Sequence, residues 1–223
     1  WGNDASNGTK GEVLFEIVNT TDDSPGKESL GRLHSPSGYK DICLTSSFYA
    51  LLNEDPDDVR LNLLEYSSKR AFVKKYQPQD GEDIMDANIP LIRLSEAYLN
   101  AAEAAVKTGD NPSAVKYLNA IVSRANPANS VEGSTVTLDR VMTERRKELV
   151  GEGHRFFDAL RDGGSVDRHD VKGQSKISST KHYITKAEKM NFSWDYYKCV
   201  LAIPKAEMDA NSNMLQNPLY DSS

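Results

Sequence analysis

Helical periodicity in the middle of this 223-residue chain, with short β-branched runs before it and polar, glycine-bearing stretches on both sides, points to a mainly α protein. The expected architecture is a tetratricopeptide-like helical scaffold with short β strands and long irregular loops. Three observations carry it. Ile89 to Ala125 holds two apolar stripes joined by Thr108-Gly109-Asp110-Asn111-Pro112; Thr137 to Leu149 holds a third; and the flanking segments lack any sustained period. The chain therefore divides into a loop- and strand-rich segment (1–88), a helical core (89–161), and an extended arm with a C-terminal wrap (162–223).

Trp1 to Lys10 is polar and reads as loop, and Glu12 to Val18 is an apolar run expected to form a buried strand. Asn19 to Lys40 is a connection rich in Ser, Gly, Pro and Asp, far longer than the usual link of about five residues. Thr45 caps a short helix to Leu52. The stretches LNLLEY (Leu61 to Tyr66) and Arg70 to Tyr76 read as strands. Ile89 to Lys107 is expected to be one helix with Pro90 in its first turn and Leu91, Leu94, Tyr98, Ala101, Ala102 and Ala105 on one face. Gly109 ends it, Asn111 and Pro112 open the next, and Ser113 to Ala125 buries Ala114, Val115, Leu118, Ile121, Val122 and Ala125. Two antiparallel helices with a tight turn match one tetratricopeptide-like unit of about 34 residues, which needs a neighbour to cover its second face.

In the helix capped by Thr137, the stripe Leu138, Met142, Arg145, Leu149 puts an arginine where a hydrophobe belongs. A buried guanidinium left unpaired costs several kcal/mol, so carboxylates must surround it. Of Glu144, Glu148 and Glu152, only Glu148 has the helical spacing to face it, and the remaining partners must come from another helix. Glu96, Glu103, Arg145, Glu148 and Glu152 are accordingly assigned to a structural ion-pair network. Gly151-Glu152-Gly153 breaks the chain before a helix starting at His154. Asp162 to Tyr183 reads as an extended arm, Cys199 to Ile203 as a last short strand, and the tail from Pro204 as a helical turn and an irregular wrap.

The formal net charge is −6 with lysine and arginine scattered, which argues against nucleic acid as a partner. Cys43 and Cys199 have no metal-ligand spacing; they can pair in an oxidising compartment, but two separate buried thiols are the preferred reading. His34, His154, His169 and His182 never fall two to four residues apart, so no zinc site is expected. Asp55, Asp57 and Asp58 lack the glycine and terminal glutamate of a calcium loop, and no cofactor is indicated. Sequons at Asn7, Asn19 and Asn191 matter only in a eukaryotic secreted protein.

Glu144 or Glu148 with Glu152 could be read as the carboxylate pair of a glycosidase, but the arginines nearby would keep these groups ionised instead of raising a pKa for acid work. An ion-pair network is preferred. Sugar binding leaves a different mark, because pyranose rings stack on exposed aromatics. Tyr39, Trp194, Tyr196 and Tyr197 sit in loops, although packing against a strand explains the last three equally well.

Taken in order, RLSEAYLNAAEA, LNAIVSRA, ERRKELVGEGHRFFDALR and LAIPKAEMDANSNMLQNPLY resemble the C-terminal half of the SusD/RagB family, and Gly11 to Ile17 extends the resemblance over almost the whole chain. NPLY stands where the family usually has a glycine, and LAIP where a second proline is usual, differences confined to local turns. The resemblance implies a SusD-like fold and a non-enzymatic lipoprotein on the extracellular face of the outer membrane. Such proteins capture glycans, or in one branch peptides, for a SusC-like TonB-dependent transporter. It also implies preceding helical repeats and an N-terminal lipid anchor absent from this chain. The family places part of its ligand platform on the loop after the EVLFEI-like strand, here Asn19 to Lys40, which gives Arg32, His34 and Tyr39 as candidate ligand contacts. Contact of that loop with the transporter, or a helical-repeat module for a protein partner, are the alternatives.

Overall fold

The computed structural model describes residues 11–78, 81–168, 176–177 and 191–220. It comprises two units, one formed by 1–152 with 169–182 and the other by 153–168 with 183–223. The Trp1 to Lys10 loop, His169, His182 and most of the Asp162 to Tyr183 arm lie outside the described residues. In the first unit the elements run β1 (Val13–Ile17), α1 (Leu30–His34), α2 (Ser46–Leu52), β2 (Leu64–Ser67), β3 (Arg70–Val73), β4 (Ile89–Arg93), α3 (Leu94–Thr108), α4 (Asn111–Ala125) and α5 (Leu138–Glu148). The protein is mainly α with short strands.

The helical hairpin α3–α4 is the scaffold. Gly109, at φ 78°, closes α3 in the left-handed conformation that glycine alone adopts without cost. The cap of α4 is Asp110, whose side chain accepts from the Ser113 N–H at 3.1 Å, so the expected cap shifts one residue upstream of Asn111. Leu99, Ala102, Ala105, Ala114, Leu118, Ile121 and Val122 form the core between the two helices, and α5 adds Val141 and Leu149 to it. Each buried Leu or Val contributes roughly 1.5–3 kcal/mol. Thr137 caps α5 by accepting from the Arg140 N–H at 3.2 Å.

Helix α3 is shorter than its apolar stripe suggests. Ile89–Arg93 is strand β4, paired antiparallel with β1 (Ile17 opposite Ile89, Val13 opposite Arg93), and the helix begins at Leu94. The β-branched pair Ile89 and Ile92, with the N–H missing at Pro90, favours an extended edge over a helical turn. Leu91 therefore leaves the apolar helix face and is exposed, as are Leu14 and Phe15 of β1, a strand whose apolar run predicts burial. A two-stranded sheet covers neither of its own faces.

A second core cluster gathers Leu44, Phe48, Tyr49 and Leu52 around α2 with Leu64, Ala71 and Val73 of the β2–β3 hairpin and Ile177. Ser68 and Lys69 turn that hairpin with both φ values positive, 51° and 61°, as a two-residue turn matching strand twist requires. Leu61 to Leu63 of the expected strand instead belong to a 3-10 turn, Val59–Leu63. Asn19 to Lys40 is also more ordered than a loop: it contains a 3-10 turn at Gly26–Glu28 and α1.

The second unit contains α6 (His154–Arg161), β5 (Ser165–Val166), β6 (Phe192–Ser193) and α7 (Lys205–Ala210). β5 and β6 pair antiparallel. Phe156, Phe192, Tyr196, Tyr197 and Tyr220 stack in series at 5.2–6.1 Å between ring centroids. The strand expected over Cys199 to Ile203 does not form; Tyr197–Cys199 is a 3-10 turn and the chain then runs irregularly to α7. Cys43 and Cys199 are free thiols, each half-buried where full burial was expected.

Candidate functional site

Two features of the first unit bear on function: an aromatic–guanidinium pair at the surface and a buried ionic cluster. The surface pair is built by α1 and the turn after it. Ser29 caps α1 by accepting from the Arg32 N–H at 3.3 Å. The chain then folds back, with the Tyr39 N–H donating to the Arg32 carbonyl at 3.0 Å and the Ile42 N–H to the Leu33 carbonyl at 3.1 Å. This return requires Gly38, because a Cβ there would stand 2.2 Å from the Arg32 carbonyl oxygen. Gly31 is similarly pressed on the Ile84 carbonyl oxygen, also at 2.2 Å. The Arg32 guanidinium consequently lies 5.4 Å from the centroid of the Tyr39 ring, within cation–π range. Tyr39 remains 46% exposed.

Arg32 and Tyr39 are thus brought together, and His34 is not. Two residues along a helix point to opposite sides, and His34 is 5% exposed. Its Nδ1–H donates to the Leu30 carbonyl at 3.0 Å and its ring lies 5.0 Å from that of Tyr76. Burial lowers its pKa, the Leu30 carbonyl opposes that, and Lys75 adds to it, so the imidazole is neutral near pH 7. Its place is in the interior, beneath the surface that Arg32 and Tyr39 line.

The ionic cluster brings cations from four other parts of the unit to the end of α5. Arg93, 2% exposed at the junction of β4 and α3, pairs with Glu12 at 2.6 Å, Glu148 at 3.2 Å and Glu152 at 2.8 Å. Lys75, just past β3, donates to the Glu148 carbonyl at 2.6 Å and pairs with Glu152. Arg60 pairs with Asp58 at 2.6 Å, Glu144 at 2.6 Å and Glu148 at 3.4 Å. Arg124 of α4 reaches Glu148 at 2.5 Å and Glu12 at 3.2 Å. Burial alone would raise the Glu148 carboxyl; Arg124, Arg93 and Lys75 outweigh it and hold the pKa at about 2.

Glu148 therefore faces these four cations, and Arg145 takes its partners from α3 instead: Glu96 at 3.3 Å and Asn100 at 2.8 Å. Arg145 is 4% exposed, as its place in the apolar stripe implies. Glu103 is buried further along α3 and pairs with Lys107 at 2.6 Å. Sequence reasoning missed Arg93, Arg60, Lys75, Arg124 and Glu12 as members of the cluster. The one legible signal was Lys75, a charge inside a run of strand-forming residues.

A cavity of about 260 Å³ opens over the cluster, walled by Leu52, Val59, Leu63, Leu64, Val73 and Val150 and floored by Arg60, Lys75, Arg124 and Glu148. The cations of that floor are already held by carboxylates. A carboxyl held at about 2 stays ionised and has no proton to give near neutral pH. Among the described residues no group of three or more His, Cys, Asp or Glu is placed to hold a metal ion, and no helix is long and apolar enough to cross a membrane.

Comparison with known proteins agrees with this architecture. The family model for the SusD family matches residues 20–220. The starch-binding protein SusD of Bacteroides thetaiotaomicron is 33% identical over 138 residues, covering 60% of this chain and 22% of that protein. A solved structure from Bacteroides vulgatus is 64% identical with a TM-score of 0.87, covering 94% of this chain and 46% of its own. A SusD superfamily protein from Bacteroides thetaiotaomicron, 34% identical with a TM-score of 0.80, is covered over 49% of its length and 94% of this chain. The chain thus spans about half the length of these solved relatives. By its family match and its fold, the chain belongs to the SusD family.

Proposed function

We propose that this chain is the C-terminal half of a surface glycan-binding lipoprotein, held on the extracellular face of the outer membrane by a lipid anchor and delivering its cargo to a SusC-like TonB-dependent transporter. The observation that carries the reading is the Tyr39 ring, half open to solvent and held by the Gly38 fold-back and the Arg32 guanidinium. A fixed, exposed aromatic ring stacks on the apolar face of a pyranose, and a planar guanidinium beside it donates to the hydroxyls at the ring edge. Membership of the SusD family and similarity to a starch-binding protein support the same reading.

Binding without bond cleavage is the proposed mechanism. The carboxylates that resemble a glycosidase pair are ion-paired, Glu148 with Arg93 and Arg124 and Glu152 with Arg93 and Lys75. Glu148, held at about 2, lacks the raised pKa a general acid needs. Calorimetry with soluble oligosaccharides tests the reading: Tyr39→Ala is expected to weaken binding roughly tenfold, and incubation with the bound glycan to release no reducing ends. Hydrolysis that disappears in Glu148→Gln would overturn the non-enzymatic reading.

A further inference from the structure

The aromatic residues of the second unit fall into two groups. Phe156, Phe192, Tyr196, Tyr197 and Tyr220 pack on one another as a half-buried series. Trp194 has no ring partner among the described residues and is 53% exposed. Its backbone is nonetheless fixed: it follows β6 directly, and its N–H donates to the Gly164 carbonyl at 3.0 Å. Gly164 is itself tied to the end of α6, donating to the Ala159 carbonyl at 2.8 Å.

The indole is placed by glycine. Gly163 has φ +64°, and a Cβ added there would stand 3.7 Å from the indole Nε1 and 3.8 Å from Cδ1. The pyrrole edge of Trp194 thus lies on the side of Gly163, at ordinary van der Waals distance from a Cβ placed there, and the residue as a whole is about half exposed. Planar polar side chains flank both contributors. Arg161 and Asp162 precede Gly163 and pair with each other at 3.3 Å, and Asp195 follows Trp194 and accepts from the Ser193 hydroxyl.

We infer that Trp194 is a stacking platform for one pyranose ring of a neutral oligosaccharide, with its sequence neighbour Asp195 and the Arg161–Asp162 pair next to Gly163 as candidate hydrogen-bonding groups. The inference rests on the glycan-binding reading and adds a sugar contact on the second unit. An exposed ring on a hydrogen-bonded backbone offers an apolar face to a sugar, and planar charged side chains adjacent in sequence suit hydroxyls at the sugar's edge.

Trp1 and Trp194 are the only tryptophans, so Trp1→Phe makes Trp194 the sole indole reporter. The full-length protein carrying this change, with any tryptophans in its remaining sequence also replaced by phenylalanine, is titrated with amylopectin, pullulan, xylan, laminarin, galactan and yeast mannan. The expected result is that the polysaccharide that binds also shifts Trp194 emission and shields it from a soluble quencher. Trp194→Ala should weaken that binding roughly five- to tenfold, while Trp194→Tyr, which keeps an aromatic face, restores most of it. Melting temperatures of both variants, matched to wild type, exclude unfolding as the cause. Binding that persists unchanged in Trp194→Ala, together with Trp194 emission in the single-tryptophan protein that the bound polysaccharide does not alter, overturns this subsite alone. Failure of every polysaccharide to bind wild type overturns the glycan reading and the subsite with it.

Discussion

Arg93 and Glu148 lie 3.2 Å apart although 55 residues separate them, one at the strand-to-helix junction of β4 and α3 and the other at the end of α5. The pair is almost fully buried, and its strength lies in how completely both ends are satisfied. Glu12 and Glu152 take the other donors of Arg93, and Arg60 and Arg124 the other lone pairs of Glu148. Removing one member takes from each buried partner part of its compensating charge and hydrogen bonds, so the cost exceeds anything the pair contributes relative to an apolar replacement.

Arg93→Ala is therefore expected to lower the unfolding free energy by roughly 3–5 kcal/mol. Arg145→Ala, which strands Glu96 and Asn100, should lose a comparable amount. Urea unfolding checks both. A loss of less than about 1 kcal/mol, the value of a surface pair, would show that these guanidinium groups are solvated.

Acid should undo the Glu148 contribution. Its folded pKa of about 2 lies below the ordinary 4.5, so the folded state binds fewer protons than the unfolded one. The stabilisation is fully present above about pH 4.5 and is lost as pH falls toward 2, a change on the order of 3 kcal/mol. Unfolding measured against pH should show the gap between wild type and Glu148→Gln closing over that interval. A gap that widens on acidification would mean that Glu148 is protonated in the folded protein.

His34 titrates in a different window. Its folded pKa lies below 6.5, so the unfolded state takes up a proton first and stability falls as pH drops below about 6.5. His34→Gln should flatten the stability profile there. In the wild-type NMR titration, the His34 ring signals should show a midpoint below 6.5; a midpoint at or above 6.5 would place the ring in solvent.

Gly38→Ala tests how Tyr39 is placed. The added methyl would meet the Arg32 carbonyl oxygen at 2.2 Å, and backbone cannot move aside as a side chain can. The fold-back should open, with a loss of about 1–3 kcal/mol and of glycan binding together. Unchanged binding would separate the Tyr39 site from this turn.

The helical scaffold was legible because its signals are local. Gly109 and Pro112 marked the hairpin turn, Thr137 marked the start of α5, and Arg145 revealed its own burial by occupying a stripe position. The boundary at Arg93 was not legible, because Leu91 fits an apolar helical stripe as well as an edge strand, and only pairing with β1 decides between them. The ionic cluster was half legible for the same reason. Glu148 and Glu152 announce themselves at the end of and just after a helix crowded with charge, whereas Arg60 and Arg124 are recruited by the tertiary fold. At the candidate ligand surface, sequence proximity grouped His34 with Arg32 and Tyr39, and the half-turn of helix between Arg32 and His34 points them to opposite sides.

Native affinity electrophoresis of the full-length protein, through gels cast with a panel of plant, host and microbial polysaccharides, tests the central claim most directly. The account predicts retardation by one class of polysaccharide, reduced or abolished in Tyr39→Ala at unchanged melting temperature. Free migration of wild type through every gel would contradict glycan capture and turn the search to peptide cargo or a protein partner.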